Sequence, residues 1–224
     1  MKVLFVASDR MEFAGILSRA SGVASAGLAV DWSRFAQIGK LRALLVANGA
    51  GPVRAAAAVD AAFPGFEPEA IVSTGFCGAL DPALEIADIA VATSVEGEEV
   101  ASLAAAHSGP FRSITHVAQT CEEKKKLAEN GAIAVEMEAA GIAARARTYR
   151  TPLYCIRAVT DLAGETLANN FNKALRSDGH FDTMLILRGT LRQPSVRLPE
   201  LIRLRQRCVR AARVLGDFFA DCRF

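Results

Sequence analysis

Residues 70–78 read AIVSTGFCG, a stretch that begins as a strand apolar on both faces and ends in a glycine-containing turn at 74–78. Two similar apolar runs, 3–7 and 43–47, come earlier, and helical patterns follow them at 12–20 and 53–63. A strand without a polar face is buried on both sides, as in a sheet that lies between two layers of helices. The sequence therefore predicts an α/β fold, a three-layer α/β/α sandwich with a central mixed sheet.

The same alternation continues through the second half of the chain. Strands are predicted at 89–94 and 153–159, and a short strand at 133–135 leads into a helix over 137–147. The segment 96–110 is polar and rich in alanine, so it is predicted to be a surface excursion. No internal repeat or long linker interrupts the pattern, and residues 1–224 are therefore expected to form a single domain.

The C-terminal segment differs from the rest in pattern and in charge. From Pro199 onward, six residues at three- and four-residue spacing line one face of a predicted helix: Leu201, Leu204, Cys208, Ala211, Leu215 and Phe218. Residues 185–224 contain nine arginines against three acidic residues, which gives them a net charge of +6. Because the whole chain carries +2, the first 184 residues carry −4. Residues 185–224 are thus predicted to be a basic C-terminal helical extension.

Two interpretations of this basic helix remain open. Arg203, Arg207 and Arg210 share a second face of it. That face is either the solvated side of a helix packed on the domain or a surface that meets anionic lipid or a partner. The second interpretation would place the protein at the periphery of the inner membrane.

Composition excludes several classes of protein. An apolar fraction of 51% rules out disorder, the scattered charges rule out a membrane-spanning protein, and a net charge of +2 argues against a general nucleic-acid binder. The five cysteines and three histidines lack the spacing of disulfide or metal sites, so neither a metal nor another cofactor is predicted. The apolar run at 3–7 is too short for a signal peptide, and the expected location is the cytoplasm.

Two motifs that commonly mark active sites are weak or missing. The run NGAGPVR at 48–54 follows a strand and opens a helix, as in a dinucleotide-binding turn. Its third glycine position holds Arg54, where close packing needs a small residue, and this argues against a dinucleotide-binding turn. The remaining interpretation is a tight turn whose helix-terminal amides lie near a ligand. No GxSxG motif occurs. Cys77 has no histidine near it in sequence and is interpreted as a small buried thiol.

Acidic residues fall where predicted strands end. Glu136 and Glu138 flank Met137 in the otherwise apolar stretch AVEMEAAG, and extended backbone points the two carboxylates to the same side. They are either surface charges in a first helical turn or a partly buried pair that needs hydrogen-bond donors, such as a sugar diol. Asp161 ends an apolar strand, where it either meets a ligand or caps the next helix. Glu12 lies just past the first strand.

These residues resemble motifs of the purine nucleoside phosphorylase and nucleosidase superfamily, which includes methylthioadenosine/adenosylhomocysteine nucleosidase. The motifs occur in the family's order, as STGFCGAL at 73–80, DIAVA at 88–92, VEMEAA at 135–140 and RAVTDLA at 157–163. The resemblance covers residues 3–163 and implies a phosphorylase/hydrolase-like fold that cleaves the N-glycosidic bond of a purine nucleoside. The tail, with LRSDG at 175–179, is most similar to the hopanoid-associated phosphorylases, which are associated with removal of adenine from adenosylhopane.

The resemblance also implies roles for individual residues. Two would be catalytic: Asp161 would protonate the purine at N7, and Glu12 would position a water molecule. Glu138 would hold the ribose hydroxyls, and Met137 would pack against the sugar. The other substrate-binding positions that the resemblance implies are Glu136, Gly75, Phe76 and Gly78, of which the two glycines would let the backbone approach the ribosyl group.

The acceptor of the ribosyl group stays open at this point. Hexameric phosphorylases carry a phosphate-binding arginine where this chain has Ser73, and a serine where it has Phe76. Loss of a bidentate phosphate donor favours water as the acceptor. Two observations favour phosphate instead: Arg10 or Arg54 could serve as the phosphate ligand, and the branch that the tail resembles is named for phosphorolysis.

The expected partners are a small-molecule purine nucleoside, with or without phosphate, and, by resemblance, further copies of the chain in a homodimer or larger homo-oligomer. Nucleic acid is not expected as a partner. The competing interpretation is a non-catalytic nucleoside- or lipid-binding relative with the same fold.

Overall fold

The fold is built around one mixed sheet of ten strands in a computed structural model that describes residues 1–222. The strands are β1 (Lys2–Ala7), β2 (Ser21–Ser25), β3 (Trp32–Ile38), β4 (Leu41–Ala47), β5 (Ala70–Ala79), β6 (Ile89–Val95), β7 (Glu98–Glu99), β8 (His107–Ser113), β9 (Ala134–Glu136) and β10 (Leu153–Asp161). Their order is β10-β6-β8-β9-β5-β1-β4-β3-β2, with β7 paired to β6. Parallel β1, β4, β5 and β10 form its buried centre.

Seven α-helices lie within the described residues 1–222. They are α1 (Ala14–Arg19), α2 (Pro52–Phe66), α3 (Cys121–Leu127), α4 (Ala139–Thr148), α5 (Phe171–Ala174), α6 (Thr183–Thr190) and α7 (Pro194–Asp221). None of these described helices is both long enough and apolar enough to cross a bilayer.

The side chains of β1 show why the sheet has a helical layer on each side. Val3, Phe5 and Ala7 point into one apolar cluster, which Leu215 and Phe219 of α7 complete. The intervening residues of β1 point to the other face and pack with apolar residues of α2 and α4. Because alternate residues of a strand face opposite sides, a fully apolar strand needs both layers. The predicted three-layer sandwich with a central mixed sheet is confirmed.

The predicted turn at 74–78 is wrong, because β5 runs on through this segment. Residues 74–77 pair with residues 156–159 of β10, and Gly78 and Ala79 pair with β9. These pairings, together with β10–β6, β6–β8 and β8–β9, close five of the strands into a ring. A strand that is hydrogen-bonded along both edges cannot turn there, so its glycines serve close approach instead.

Other predicted boundaries also need correction. The surface excursion at 96–110 contains β7 and the start of β8, a sheet strand whose Phe111 is buried in the core. The helix predicted at 12–20 is a 3₁₀ turn followed by α1, because Asp9 and Glu12 form a capping box at its start. The helix predicted at 137–147 begins at Ala139, and the terminal helix begins at Pro194 rather than Pro199.

The last helix crosses α1 with almost no space between the two backbones. A Cβ on Gly15 of α1 would lie 1.8 Å from the carbonyl oxygen of Ala212, and a Cβ on Gly216 would lie 2.3 Å from the backbone of Gly15. Two glycines that face each other therefore allow the close approach of α1 and α7. Gly189 of α6, by contrast, has no heavy atom within 4 Å of its Cβ position.

Gly15→Ala is expected to lower the free energy of unfolding by roughly 3 kcal/mol, since the added methyl group meets backbone that cannot move aside. Gly189→Ala is the matched control, because it adds the same methyl group to an open helical position. It should raise the free energy of unfolding by up to about 1 kcal/mol. Urea denaturation measures both, and similar effects of the two substitutions would contradict the close crossing.

Candidate active site

A cavity of about 350 Å³ lies next to the carboxyl ends of β1, β5, β9 and β10. Its wall contains seven of the eight site residues predicted from the sequence: Glu12, Phe76, Gly78, Glu136, Met137, Glu138 and Asp161. Gly75 lies just behind this wall, between Glu12 and Arg157. Residues that are far apart in the chain thus meet at the sheet edge where open α/β folds bind ligands.

The centre of the site is a guanidinium group that solvent does not reach. Arg157 of β10 is 0% exposed, and it donates to the Ser73 hydroxyl (2.7 Å) and the Thr74 carbonyl (2.8 Å) of β5. It also donates to Glu136 and lies 3.3 Å from Glu138 Oε2. Burial alone would lower the pKa of Arg157, but the two carboxylates outweigh it and raise that pKa. The group stays charged and holds the Glu-Met-Glu segment against β5.

The Oε2 atom of Glu136 accepts its hydrogen bonds from groups of the protein itself. Its Oε2 accepts hydrogen bonds from the backbone N–H groups of Glu138 and Ala139, both at 2.9 Å, in addition to Arg157. These bonds satisfy the first free N–H groups of α4. Glu136 therefore fixes where α4 begins, and its buried Oε1 has no hydrogen-bond partner among residues 1–222.

Glu138 is 4% exposed and accepts a hydrogen bond of 3.1 Å from the Gly51 N–H at the start of α2. The glycine-rich run at 48–54 therefore provides a helix-terminal amide, as the sequence suggests, but to a carboxylate of the protein. Burial raises the pKa of Glu138 to about 7, against the opposing effect of Arg157 and with a smaller contribution from Glu136. This carboxyl group changes its charge near neutral pH.

Glu12 accepts hydrogen bonds from four donors. Its Oε2 accepts from the Ser8 N–H and hydroxyl, both at 2.8 Å, and from the Asp9 N–H at 3.0 Å. Its Oε1 accepts from the Phe76 N–H at 2.8 Å. The capping box at the 3₁₀ turn thus carries Glu12 across to β5, and it orients one carboxylate oxygen along the cavity wall.

Two glycines of β5 make room for these acidic side chains. Gly75 has a φ of 132°, which side chains disfavour, and a Cβ there would lie 2.3 Å from Glu12 Oε1. A Cβ on Gly78 would lie 2.9 Å from Asp161 Oδ2. The carboxylates of Glu12 and Asp161 fill the space that the missing side chains leave. The two glycines therefore make room for acidic side chains of the protein.

Asp161 ends β10 and lies beside a buried lysine. The ammonium group of Lys124, whose side chain is fully buried, donates to Asp161 Oδ2 and, at 2.8 Å, to the Leu162 carbonyl. The Thr160 hydroxyl donates to Asp161 Oδ1 at 3.2 Å. Burial raises the pKa of Asp161, and Lys124 offsets part of that rise. Burial and the Lys124 ammonium thus act in opposite directions on the protonation of Asp161.

Sequence reasoning missed Lys124, Arg157 as a site residue, and the apolar part of the wall. Lys124 stands in the run CEEKKK, where only burial separates it from its exposed neighbours. His116, interpreted as a surface or core residue, lies in the cavity wall and contacts Glu123. The apolar wall residues are Val117, Leu167, Phe171, Phe181, Ile186 and Leu204. They come from loops and from α5, α6 and α7, where no site residue is predicted from the sequence.

Other candidates lie outside the chemistry. Arg54 donates to the Asn48 carbonyl and pairs with Asp31, and Arg10 is exposed; neither lines the cavity. Cys77 is buried, and burial raises the pKa of its thiol well above the ordinary value, so the interpretation as a buried thiol is confirmed. Among residues 1–222, no group of three histidine, cysteine or acidic side chains is arranged to hold a metal.

This fold and this ring of buried carboxylates define the class of protein. The family model of the Phosphorylase superfamily matches residues 33–110 and 104–180, which is more than half of the chain. The chain belongs to that superfamily.

Relatives within the superfamily point to one group of enzymes. The 5′-methylthioadenosine/S-adenosylhomocysteine nucleosidase of Geobacillus kaustophilus is 25% identical over 224 aligned residues, which cover 84% of this chain and 95% of the relative. The nucleosidase of the same name from Bacillus velezensis is 25% identical and covers 64% of this chain and 78% of its own.

Solved structures show the same fold. The Helicobacter pylori nucleosidase with butyl-thio-DADMe-Immucillin-A superimposes with a TM-score of 0.68 at 17% identity, over 97% of both chains. The Neisseria meningitidis nucleosidase with methylthio-immucillin-A gives a TM-score of 0.67 at 18% identity, over 97% of this chain and 99% of its own.

The raised pKa of Glu138 predicts a dependence of stability on pH. A carboxyl group whose pKa rises from 4.5 to about 7 on folding stabilises the folded state most below pH 4.5, and this contribution is lost as pH rises through about 7. The loss is on the order of 3 kcal/mol. Wild-type protein should therefore be less stable at pH 8 than at pH 5, and Glu138→Gln should reduce that difference. Urea denaturation at the two pH values measures it, with exposed Glu99→Gln as the control that keeps wild-type behaviour.

Proposed function

We propose that the protein cleaves the N-glycosidic bond of an adenosyl nucleoside and releases adenine. The observation that carries this proposal is the meeting of Asp161, Glu138 and Glu12 in one cavity, each in a different environment. The nucleosidase relatives support the same bond and the same leaving base.

Cleavage of this bond leaves negative charge on the base and positive charge on the ribosyl ring. A protonated Asp161 neutralises the base by giving it a proton, and burial, which raises the pKa of Asp161, keeps that proton available. An ionised Glu138 accepts hydrogen bonds from the ribose hydroxyls, and these bonds strengthen as the ring becomes cationic. Met137, the half-buried residue between the two glutamates, packs against the sugar.

Lys124 makes Asp161 a stronger acid than burial alone would allow. Once the proton has moved to the base, Asp161 is an anion in a site that excludes most water, and an uncompensated buried carboxylate is costly. The buried ammonium of Lys124 stabilises that anion through a charge-assisted hydrogen bond. Lys124 acts through Asp161 and is therefore a positioning residue.

Water is the acceptor that the site favours. Phosphate needs cationic donors, but Arg157 uses both terminal nitrogens on protein oxygens, Arg54 is held by Asn48 and Asp31, and Arg10 lies outside the cavity. Glu12 presents a fixed carboxylate that can orient a water molecule for attack on the ribosyl ring. Phosphorolysis is the alternative, and it follows the branch that the tail resembles.

The substrate carries an apolar group on the ribosyl part. The cavity wall formed by Phe171, Phe181, Ile186 and Leu204 offers apolar surface but few hydrogen-bond partners. Together with the resemblance of residues 175–201 to the hopanoid-associated branch, this wall supports an adenosylhopane-like substrate. Because Leu204 belongs to α7, we also propose that residues 185–224 and the cavity form one domain.

A panel of adenosyl compounds tests the reaction. Methylthioadenosine, adenosylhomocysteine, futalosine and an adenosylhopane are incubated with and without phosphate, and released adenine or base and the sugar product are measured. Base release without phosphate is expected for at least one compound, which would identify water as the acceptor. Base release only with phosphate would identify phosphate as the acceptor. Asp161→Asn should lower kcat by about 10²- to 10⁴-fold, while exposed Asp221→Asn should not. Binding without turnover by folded wild-type protein would identify a non-catalytic nucleoside-binding relative.

Lys124→Met tests the role of the buried ammonium. Without it the pKa of Asp161 should rise further, so the alkaline limb of the kcat profile should move to higher pH while kcat falls. Lys125→Met, at the exposed neighbouring position, is the matched control and should leave the profile unchanged. An unchanged alkaline limb in an active Lys124→Met variant would contradict the assignment.

A further inference from the structure

Exposed apolar side chains are concentrated in one part of this chain. Of the fourteen large apolar residues that are exposed within the described part, nine lie between residues 181 and 209. Scattered single residues of this kind are normal on a protein surface, whereas a group in one segment marks an interaction surface. This segment comprises α6, the first half of α7 and the residues that join them to each other and to α5.

Helical geometry arranges these residues in two outward-facing stripes. Met184, Leu187 and Leu191 follow each other at spacings of three and four residues along α6 and its C-cap. Leu198 and Ile202 are four residues apart on α7, and Val209 follows two turns later on the same side. Leu201, Leu204 and Cys208 are half-buried on another side of the helix, so α7 is apolar on two faces in this region.

The two helices are joined by polar contacts at their inner sides. The Thr190 hydroxyl donates to the side chain of Asn169, and the Asn169 amide donates to Glu200 of α7 at 2.7 Å. Arg197 donates to the Gly189 carbonyl at 2.7 Å. These contacts keep α6 and α7 together while their apolar stripes point away from the domain.

Unpaired arginines border the stripes. Within residues 181–213, six exposed arginines form no ion pair with any residue of the described chain: Arg188, Arg192, Arg203, Arg205, Arg210 and Arg213. By helical position, Arg205 and Arg213 flank the stripe on α7. Arg207, predicted from the sequence to share a basic face with Arg203 and Arg210, instead binds both carboxylate oxygens of Glu165, at 2.7 and 2.8 Å. The basic surface therefore consists of other residues than the sequence indicates.

We propose that this α6–α7 surface, residues 181–213, docks on an anionic lipid bilayer. Apolar side chains bordered by arginines are the pattern of helices that lie in the interface of a membrane, and the arginines match the negative charge of its lipid headgroups. A nucleic acid would satisfy the arginines but not the apolar stripes. A second copy of this chain would bring like-charged arginines together.

The docking surface and the proposed active site share their helices. Ile186 of α6 and Leu204 of α7 line the cavity from the inside, while the stripes of the same helices face outward. A substrate whose apolar group resides in the bilayer would therefore meet the cavity at the surface that touches the membrane. This step rests on the proposed function, whereas the docking itself does not.

Vesicle sedimentation of the full chain tests the docking without any substrate. The protein should bind vesicles of phosphatidylcholine mixed with phosphatidylglycerol, bind pure phosphatidylcholine vesicles much less, and dissociate as salt is raised. Arg205→Gln with Arg213→Gln should weaken binding by about fivefold for each arginine removed. Leu187→Ser with Leu191→Ser should weaken it as well, because the apolar contact is lost.

Matched controls come from surfaces elsewhere on the chain. Val53→Ser removes a side chain that is 79% exposed on α2, and Lys125→Gln with Lys126→Gln removes two exposed charges on α3. Neither should change vesicle binding. Equal binding to neutral and anionic vesicles, or none to either, would overturn the proposal. A loss of oligomers in the leucine variant, seen by size-exclusion chromatography, would assign the surface to a second copy.

A parallel assay separates this proposal from the proposed function. Release of adenine from a water-soluble compound such as methylthioadenosine should be the same in the surface variants and in wild-type protein. Vesicle binding by a protein that releases no base would leave the docking intact and contradict the proposed function.

Discussion

A buried guanidinium group is the interaction on which the rest of the site depends. Arg157 joins β10 to the Ser73 hydroxyl and the Thr74 carbonyl of β5, and it also meets Glu136 and Glu138 at the start of α4. Two carboxylates so close together would otherwise repel each other and take up protons. The positive charge makes the Glu-Met-Glu segment tolerable in the interior, and removing it would leave acidic groups buried without compensation.

The carboxyl groups of Glu138 and Asp161 have different electrostatic surroundings, because each lies beside a different cation. Glu138 lies 3.3 Å from Arg157, which Glu136 also engages, so burial dominates and the pKa rises to about 7. Asp161 has Lys124 to itself, and burial still keeps its pKa above the ordinary value. The two groups therefore have different charged partners within one cavity. Two carboxyl groups with separate tasks are the requirement for cleaving a glycosidic bond.

Sequence reasoning reached the parts of this structure that depend on local pattern. Apolar strands predicted the layers, and acidic residues at strand ends predicted Glu138 and Asp161 at the cavity. It failed where long-range pairing decides the outcome: 74–78 is strand because β10 and β9 pair with it, and 107–113 is a sheet strand despite its glycine and proline. Lys124 and Arg157 were missed as site residues for a related reason. Nothing in the run of three lysines marks Lys124 as the buried one, and the apolar run around Arg157 predicts a buried strand but not the contacts of its guanidinium group.

The two halves of α7 have different surroundings, and this difference accounts for the charge asymmetry of the chain. Its second half belongs to the core: Gly216 lies against Gly15, and Leu215 and Phe219 pack beneath β1. That half is anchored by close packing and needs no outer partner. Its first half contributes Leu204 to the cavity wall but leaves Leu198, Ile202 and unpaired arginines exposed. A helix meant only to cover the sheet would carry polar residues there. The basic and apolar surface lies where the same helix borders the cavity. Contact with lipid at this place would affect which molecules enter the cavity.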